Sequence, residues 1–208
     1  MLAVLIVSLV SGLAVPASAS RAVCHVVTDP AGDAVRPIRG TGMSTPNDPT
    51  LDVLSADVGI GVQTLAFVVR VAHLGDALSQ GAQTDSWQMY FTVRGKSFAT
   101  NATRAPDGVS FTILGDLPEQ YAAPGFTPEA NVSGSFNIAT NEIRVDVPRR
   151  YLPVMRPSKE VLLNLTVDSI TGVGLLTAEG ARLGTTVDRT EQPGPRMPLN
   201  TQSCVVAR

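Results

Sequence analysis

Aromatic side chains are scarce in this chain. Phe, Trp and Tyr make up 5% of its 208 residues, with a single Trp. Any surface that recognises a ligand by stacking has few groups to build from. Lysine is scarcer still, since Lys96 and Lys159 are the only two and arginine supplies the other basic residues. With a net charge of −2 there is no electrostatic footprint for nucleic acid, and no basic block suits an anionic membrane surface. Histidine occurs only at positions 25 and 73. A Ser-His-Asp triad would have to use one of them, and nothing in the sequence places a serine beside His73. The chain also lacks a G-x-S-x-G elbow, an H-E-x-x-H pair and a Gly-rich phosphate loop. Carboxylate pairs such as Asp107/Asp116 and Glu119/Glu129 sit in turns with no cleft implied, a poor setting for a glycosidase dyad. The chain reads as a protein that is not an enzyme.

What is present begins with an apolar leader. Residues 2–15 are almost entirely apolar and Ala17-Ser18-Ala19 is an A-x-A cleavage site, so residues 1–19 read as a signal peptide. The apolar run is shorter than the roughly 20 residues a helix needs to cross a bilayer core. No Lys or Arg precedes Arg21, so the usual basic start of such a leader is missing. Residues 20–208 then form one extracellular domain with no membrane span after cleavage, read as a monomer. Two cysteines remain, Cys24 and Cys204. An even count in an oxidising compartment reads as a disulfide, and closing so long a loop stabilises by about 5 kcal/mol in the chain-entropy account. Lipidation of Cys24 is the weaker reading, because Arg21-Ala22-Val23 lacks the Leu and small residues expected before it.

Beyond the leader no stretch carries a convincing helical period. Apolar residues alternate with period two between clusters of Gly, Pro, Asn and Asp, the signature of β-strands. Strands are expected over 22–27, 51–61, 64–74, 87–93, 98–103, 109–114, 132–139, 142–147, 161–170, 173–179 and 203–207, with a loop over 115–130 and a short helical turn at 148–152. The segment 64–74 is apolar on both faces and is expected to be central and covered on both sides. Hairpins are expected at Arg94-Gly95-Lys96-Ser97 and Thr140-Asn141. About nine to eleven such strands predict an all-β, antiparallel, two-sheet sandwich of jelly-roll-like type.

Acidic residues cluster around the first loop. Asp29 and Asp33 flank Pro30-Ala31-Gly32, and Asp52 and Asp57 follow in the strand expected over 51–61. Calcium takes six to eight oxygens, commonly carboxylates around a tight turn, so this set predicts a structural Ca2+ site. The same residues are also ordinary turn formers, and that reading stays open. Asp52 and Asp57 are five apart and fall on opposite faces of a regular strand, so Asp52 ranks above Asp57 as a ligand. A second constellation lies on the strand 87–93. Trp87, Met89, Phe91 and Val93 are expected inward; Gln88, Tyr90 and Arg94, outward, are the candidate ligand-binding surface.

In chain order, Asp29-Pro30-x-Gly32-Asp33, Leu51-Asp52-x-x-x-Ala56-Asp57-Val58 and Leu65-x-Phe67-x-Val69-x-Val71-x-x-Leu74 are followed by Trp87-x-x-Tyr90-Phe91, Gly134-Ser135 and Val145-Asp146-Val147-Pro148-Arg149. This series resembles the DOMON-like β-sandwich domains of secreted bacterial proteins, related to family 9 carbohydrate-binding modules. The resemblance covers about residues 24 to 190. It implies that a late acidic residue, Asp188, closes the calcium site. It also implies that the partner is an extracellular polysaccharide or cell-wall polymer, or else another secreted protein for which the domain is a structural accessory. Some DOMON domains hold haem through Met and His. Met89, His25 and His73 read more simply as core or strand-end residues, and no haem is expected.

Overall fold

The alternation becomes structure most plainly in β6 (Thr84–Val93) and β7 (Lys96–Ala105). Trp87, Met89, Phe91 and Val93 are buried, while Gln88, Tyr90 and Thr92 between them are not. Arg94 and Gly95 join the two strands with φ of 52° and 73°. A two-residue turn with both φ positive twists in the sense that antiparallel strands require. The structure is a computed structural model that describes residues 24–35, 37–38, 43–79, 82–118, 128–153, 161–176, 182–190, 196–198 and 202–207. The leader expected over 1–19 lies outside them.

Two antiparallel sheets face each other. One holds β1 (Val27–Thr28), β4 (Val53–Ile60), β5 (Thr64–Val71), β11 (Glu142–Pro148) and β10 (Ser133–Asn137), in that spatial order. The other runs β13 (Arg182–Arg189), β12 (Val161–Leu176), β6, β7, β8 (Gly108–Gly115), β9 (Glu129–Asn131), with β14 (Met197–Pro198) also paired to β12. A separate ribbon pairs β2 (Pro37–Ile38) with β3 (Met43–Ser44). The expected all-β, two-sheet sandwich is what the chain forms, and residues 149–151 make the expected helical turn as a 3-10 turn.

The core lies between the inner faces. Phe67 of one sheet stacks on Phe91 of the other with ring centroids 4.6 Å apart, and Trp87 meets Phe136 edge-on at 5.5 Å. Burying each such side chain contributes about 1.5–3 kcal/mol, and the ring pairs add about 0.5–1.5 kcal/mol. β5 is central and buried on both faces, as its sequence predicts. Its outward Ala66 and Val68 are covered by Val205 and Ala207.

That cover corrects the expectation of a closing strand over 203–207. Only Ser203 makes a strand-like bridge, and the segment instead lies across the outer face of β4 and β5. Two glycines make room for it. A Cβ on Gly59 would sit 2.4 Å from the Val205 carbonyl oxygen, and one on Gly61 would sit 2.7 Å from the Ala207 Cβ. Cys204 is disulfide-bonded to Cys24, with Cα atoms 5.2 Å apart, the bond that an oxidising compartment favours. Further along, the strands expected at 161–170 and 173–179 are one continuous strand, β12. β13 was not expected at all, and β9 begins inside the expected loop 115–130. No helix among the described residues is long and apolar enough to cross a membrane.

Gly59→Ala is expected to lower stability by about 1–3 kcal/mol, the usual cost of forcing extra volume into a packed site. Urea denaturation checks this. The penalty should shrink once the disulfide is reduced and the terminal segment can lift away.

Candidate functional site

The acidic loop is held from below by one buried carboxylate. Gly32, with φ of 95°, takes a left-handed conformation that suits glycine, and its N–H donates to Asp52 Oδ2 at 2.8 Å. Asn47 Nδ2 donates to the same oxygen at 2.9 Å. Asp52 is 1% exposed, and its Oδ1 has no hydrogen-bond partner among the described residues. A buried polar group left half-satisfied is costly, and the donors that hold Asp52 are Gly32 and Asn47.

Asp188 arrives from β13. Its Oδ2 accepts a 2.7 Å hydrogen bond from Val53 N–H. One carboxylate oxygen each of Asp29, Asp33 and Asp188 then lies within 4.8 Å of the others. Burial raises the Asp188 carboxyl from its ordinary 3.8 to about 7; Asp29 and Asp33 push the same way, against the opposing bond from Val53. Three carboxylates at this separation repel one another unless protonated or shared by a cation. As hard oxygen donors they fit Ca2+, to which they offer up to about six oxygens of the usual six to eight.

The structure therefore brings together three of the five acidic residues singled out in the sequence. Asp52 stands outside that trio, as its support. Asp57 is corrected away from the site. It is fully buried and tied to the Arg70 guanidinium, and its Oδ1 accepts Val26 N–H at 3.3 Å. Arg70 Nε in turn donates to Glu142 at 2.8 Å. The physical reason is parity: Asp57 shares the outer face of its sheet with Arg70 and Glu142.

The second candidate surface is the outer face of β6. Tyr90 is 38% exposed and its hydroxyl donates to Gln88 Oε1. Arg94, also exposed, sits in the turn beyond the strand end. Across the ladder Gln88 pairs with Asp168 of β12, and Arg189 of β13 donates to both Asp168 oxygens at 2.8 and 2.5 Å. Burial, then Asp168, raises the Tyr90 pKa. Asp168 and Arg189 were missed in the sequence, where the only available signal was a charge within an otherwise apolar strand. Met89 is buried in the core, His25 bonds Ser55 Oγ at 3.0 Å, and His73 follows the end of β5.

Comparison with protein-family models, with curated proteins and with solved structures finds no match to this chain.

A carboxyl whose pKa is higher in the folded state favours folding below its unfolded value, and that contribution is lost as pH rises through the folded one. Metal-free protein should therefore melt several degrees lower at pH 8 than at pH 5, apart from other titrations. Asp188→Asn should flatten that slope, and Ca2+ should reverse it in the unaltered chain. Asp57→Ala is expected to cost about 1–3 kcal/mol by removing the buried acceptor of Val26 N–H and one of the two carboxylates on Arg70, yet to leave the Ca2+-dependent rise in melting temperature intact. Thermal melts with and without chelator check all of these.

Proposed function

We infer that this chain is a secreted, non-catalytic binding domain, stabilised by calcium, for an extracellular carbohydrate or cell-wall polymer. The observation that carries the reading is the convergence of Asp29, Asp33 and Asp188 on one point. Asp29 and Asp33 belong to the first loop and Asp188 to β13 in the other sheet, so an ion there would pin that loop across the sandwich. Its role would be structural. The apolar leader and the Cys24–Cys204 bond support export to an oxidising compartment. The ligand class comes from the DOMON-like resemblance, and the half-exposed Tyr90 with Gln88 offers a ring and an amide for a sugar face.

A second reading, a structural or protein-interaction accessory domain, is favoured by one observation. The Tyr90 hydroxyl is already engaged by Gln88, and Asp168 by Arg189, so this face satisfies its own polar groups.

Binding to an array of extracellular polysaccharides in calcium-containing buffer separates the two. The carbohydrate reading expects saturable binding that Tyr90→Ala weakens about tenfold, the order of loss on truncating an aromatic anchor, with the melting temperature unchanged. Absence of binding to any glycan would leave the accessory-domain reading standing.

A further inference from the structure

A cavity of about 480 Å3 opens between residues 45–50 and 73–79, within the size range of small-ligand sites, about 300–1,000 Å3. Its charge is one-sided. Asp48 and Asp76 both line it together with His73, and among the described residues neither a lysine nor an arginine does. Asp76 is exposed and makes no ion pair among the described residues, while Asp48 spends one oxygen on Thr50 N–H at 3.1 Å. Pro46, Pro49 and Leu78 add apolar wall between these carboxylates. Ser79, 6% exposed, also lines the cavity, and its Oγ is buried without a hydrogen-bond partner among the described residues. Buried hydroxyls are normally satisfied, so this one points to a partner that arrives with a ligand.

Hydrogen bonds tie both walls to their neighbours. Ser79 N–H donates to buried Asp85 at 2.9 Å, and Arg104 donates to the Gly75 carbonyl at 2.5 Å. His73 N–H bonds Pro49 O at 2.8 Å, tying one wall to the other. The 45–50 wall is also joined to the acidic loop at two points. Asp48 N–H donates to Ala34 O at 2.9 Å, and Asn47 shares the Asp52 carboxylate with Gly32.

We propose that this cleft is a binding site for an alkylammonium group, the side chain of a lysine in a partner polypeptide, coupled to the acidic cluster through Asp52. The ammonium carries three donors and no acceptor. It would meet the carboxylates of Asp48 and Asp76 and the Ser79 hydroxyl, with its methylene stem packed on the prolines and Leu78. An ion on Asp29, Asp33 and Asp188 fixes the loop that carries Gly32 and Ala34, and so fixes Asn47 and Asp48. Cation and lysine should therefore favour each other's binding, and by linkage to the same degree. Only this coupling rests on the calcium reading; the cleft's preference for a cation does not.

The test is an NMR titration of the whole domain with Nα-acetyl-lysine methylamide, with the norleucine analogue and methyl glucoside as comparison probes. Saturable shifts in the amides of 45–50 and 73–79 are expected for the lysine probe alone. Asp76→Asn should weaken its binding about tenfold, and Ser79→Ala several-fold, with melting temperatures unchanged because neither side chain holds the fold. Calcium should tighten binding at least about fivefold. Equal shifts with the norleucine probe, shifts with the glucoside in the same residues, or indifference to Asp76→Asn would overturn the site. If the melt responds to calcium but lysine affinity does not, the coupling is wrong. If the melt itself ignores calcium, the calcium reading fails, and lysine binding in calcium-free buffer still decides the cleft.

Discussion

The carboxylate of Asp52 is the joint between otherwise separate parts of this molecule. Its Oδ2 takes hydrogen bonds from Gly32 and Asn47, and its backbone carbonyl accepts Ala72 N–H at 2.9 Å. The acidic loop, the 45–50 segment and the end of β5 therefore meet at one residue. In water such a group would be indifferent to its neighbours. At 1% exposure its Oδ2 is matched by donors in fixed places, the Gly32 N–H and the Asn47 side-chain amide. The positions of Asp29, Asp33 and the cleft wall all follow from that requirement.

Charge is handled differently on the outer faces of the two sheets. On the five-stranded sheet Asp57, Arg70 and Glu142 form a chain of ion pairs, and Arg144 binds Asp146 and the Val206 carbonyl. On the seven-stranded sheet Asp168 and Arg189 pair beside Gln88 and Tyr90. The acidic trio stands apart from both. It gathers like charge, and Asp29 and Asp33 add to burial in raising the Asp188 carboxyl.

The strands with clean alternation were legible in the sequence because one face of each is wholly apolar. β6 and β11 are examples, and the two-faced burial of β5 was legible in its unbroken apolar run. β13 was not, since Leu183-Gly184-Thr185-Thr186 carries neither a regular alternation nor strong hydrophobicity; its place comes from pairing with β12. The break expected between 170 and 173 is bridged by the ladder. Within the site, turn chemistry exposed Asp29 and Asp33, and parity separated Asp52 from Asp57. The meeting of Asp188 with the first loop depends on a contact distant in sequence, and local spacing carries no record of it. Ser79 and Asp76 were invisible for the same reason. Their significance lies in what faces them, not in their neighbours along the chain.

The Cys24–Cys204 bond has a mechanical consequence. A pull transmitted along the chain from before residue 24 to beyond residue 204 enters one cysteine and leaves through the other, across Cα atoms 5.2 Å apart. The load bypasses both sheets. While that bond is oxidised, the sandwich, the acidic loop and the cleft hang beside the line of tension and keep their geometry whatever the chain is drawn against; only the residues beyond Cys204, packed on Gly59 and Gly61, lie in the line of pull.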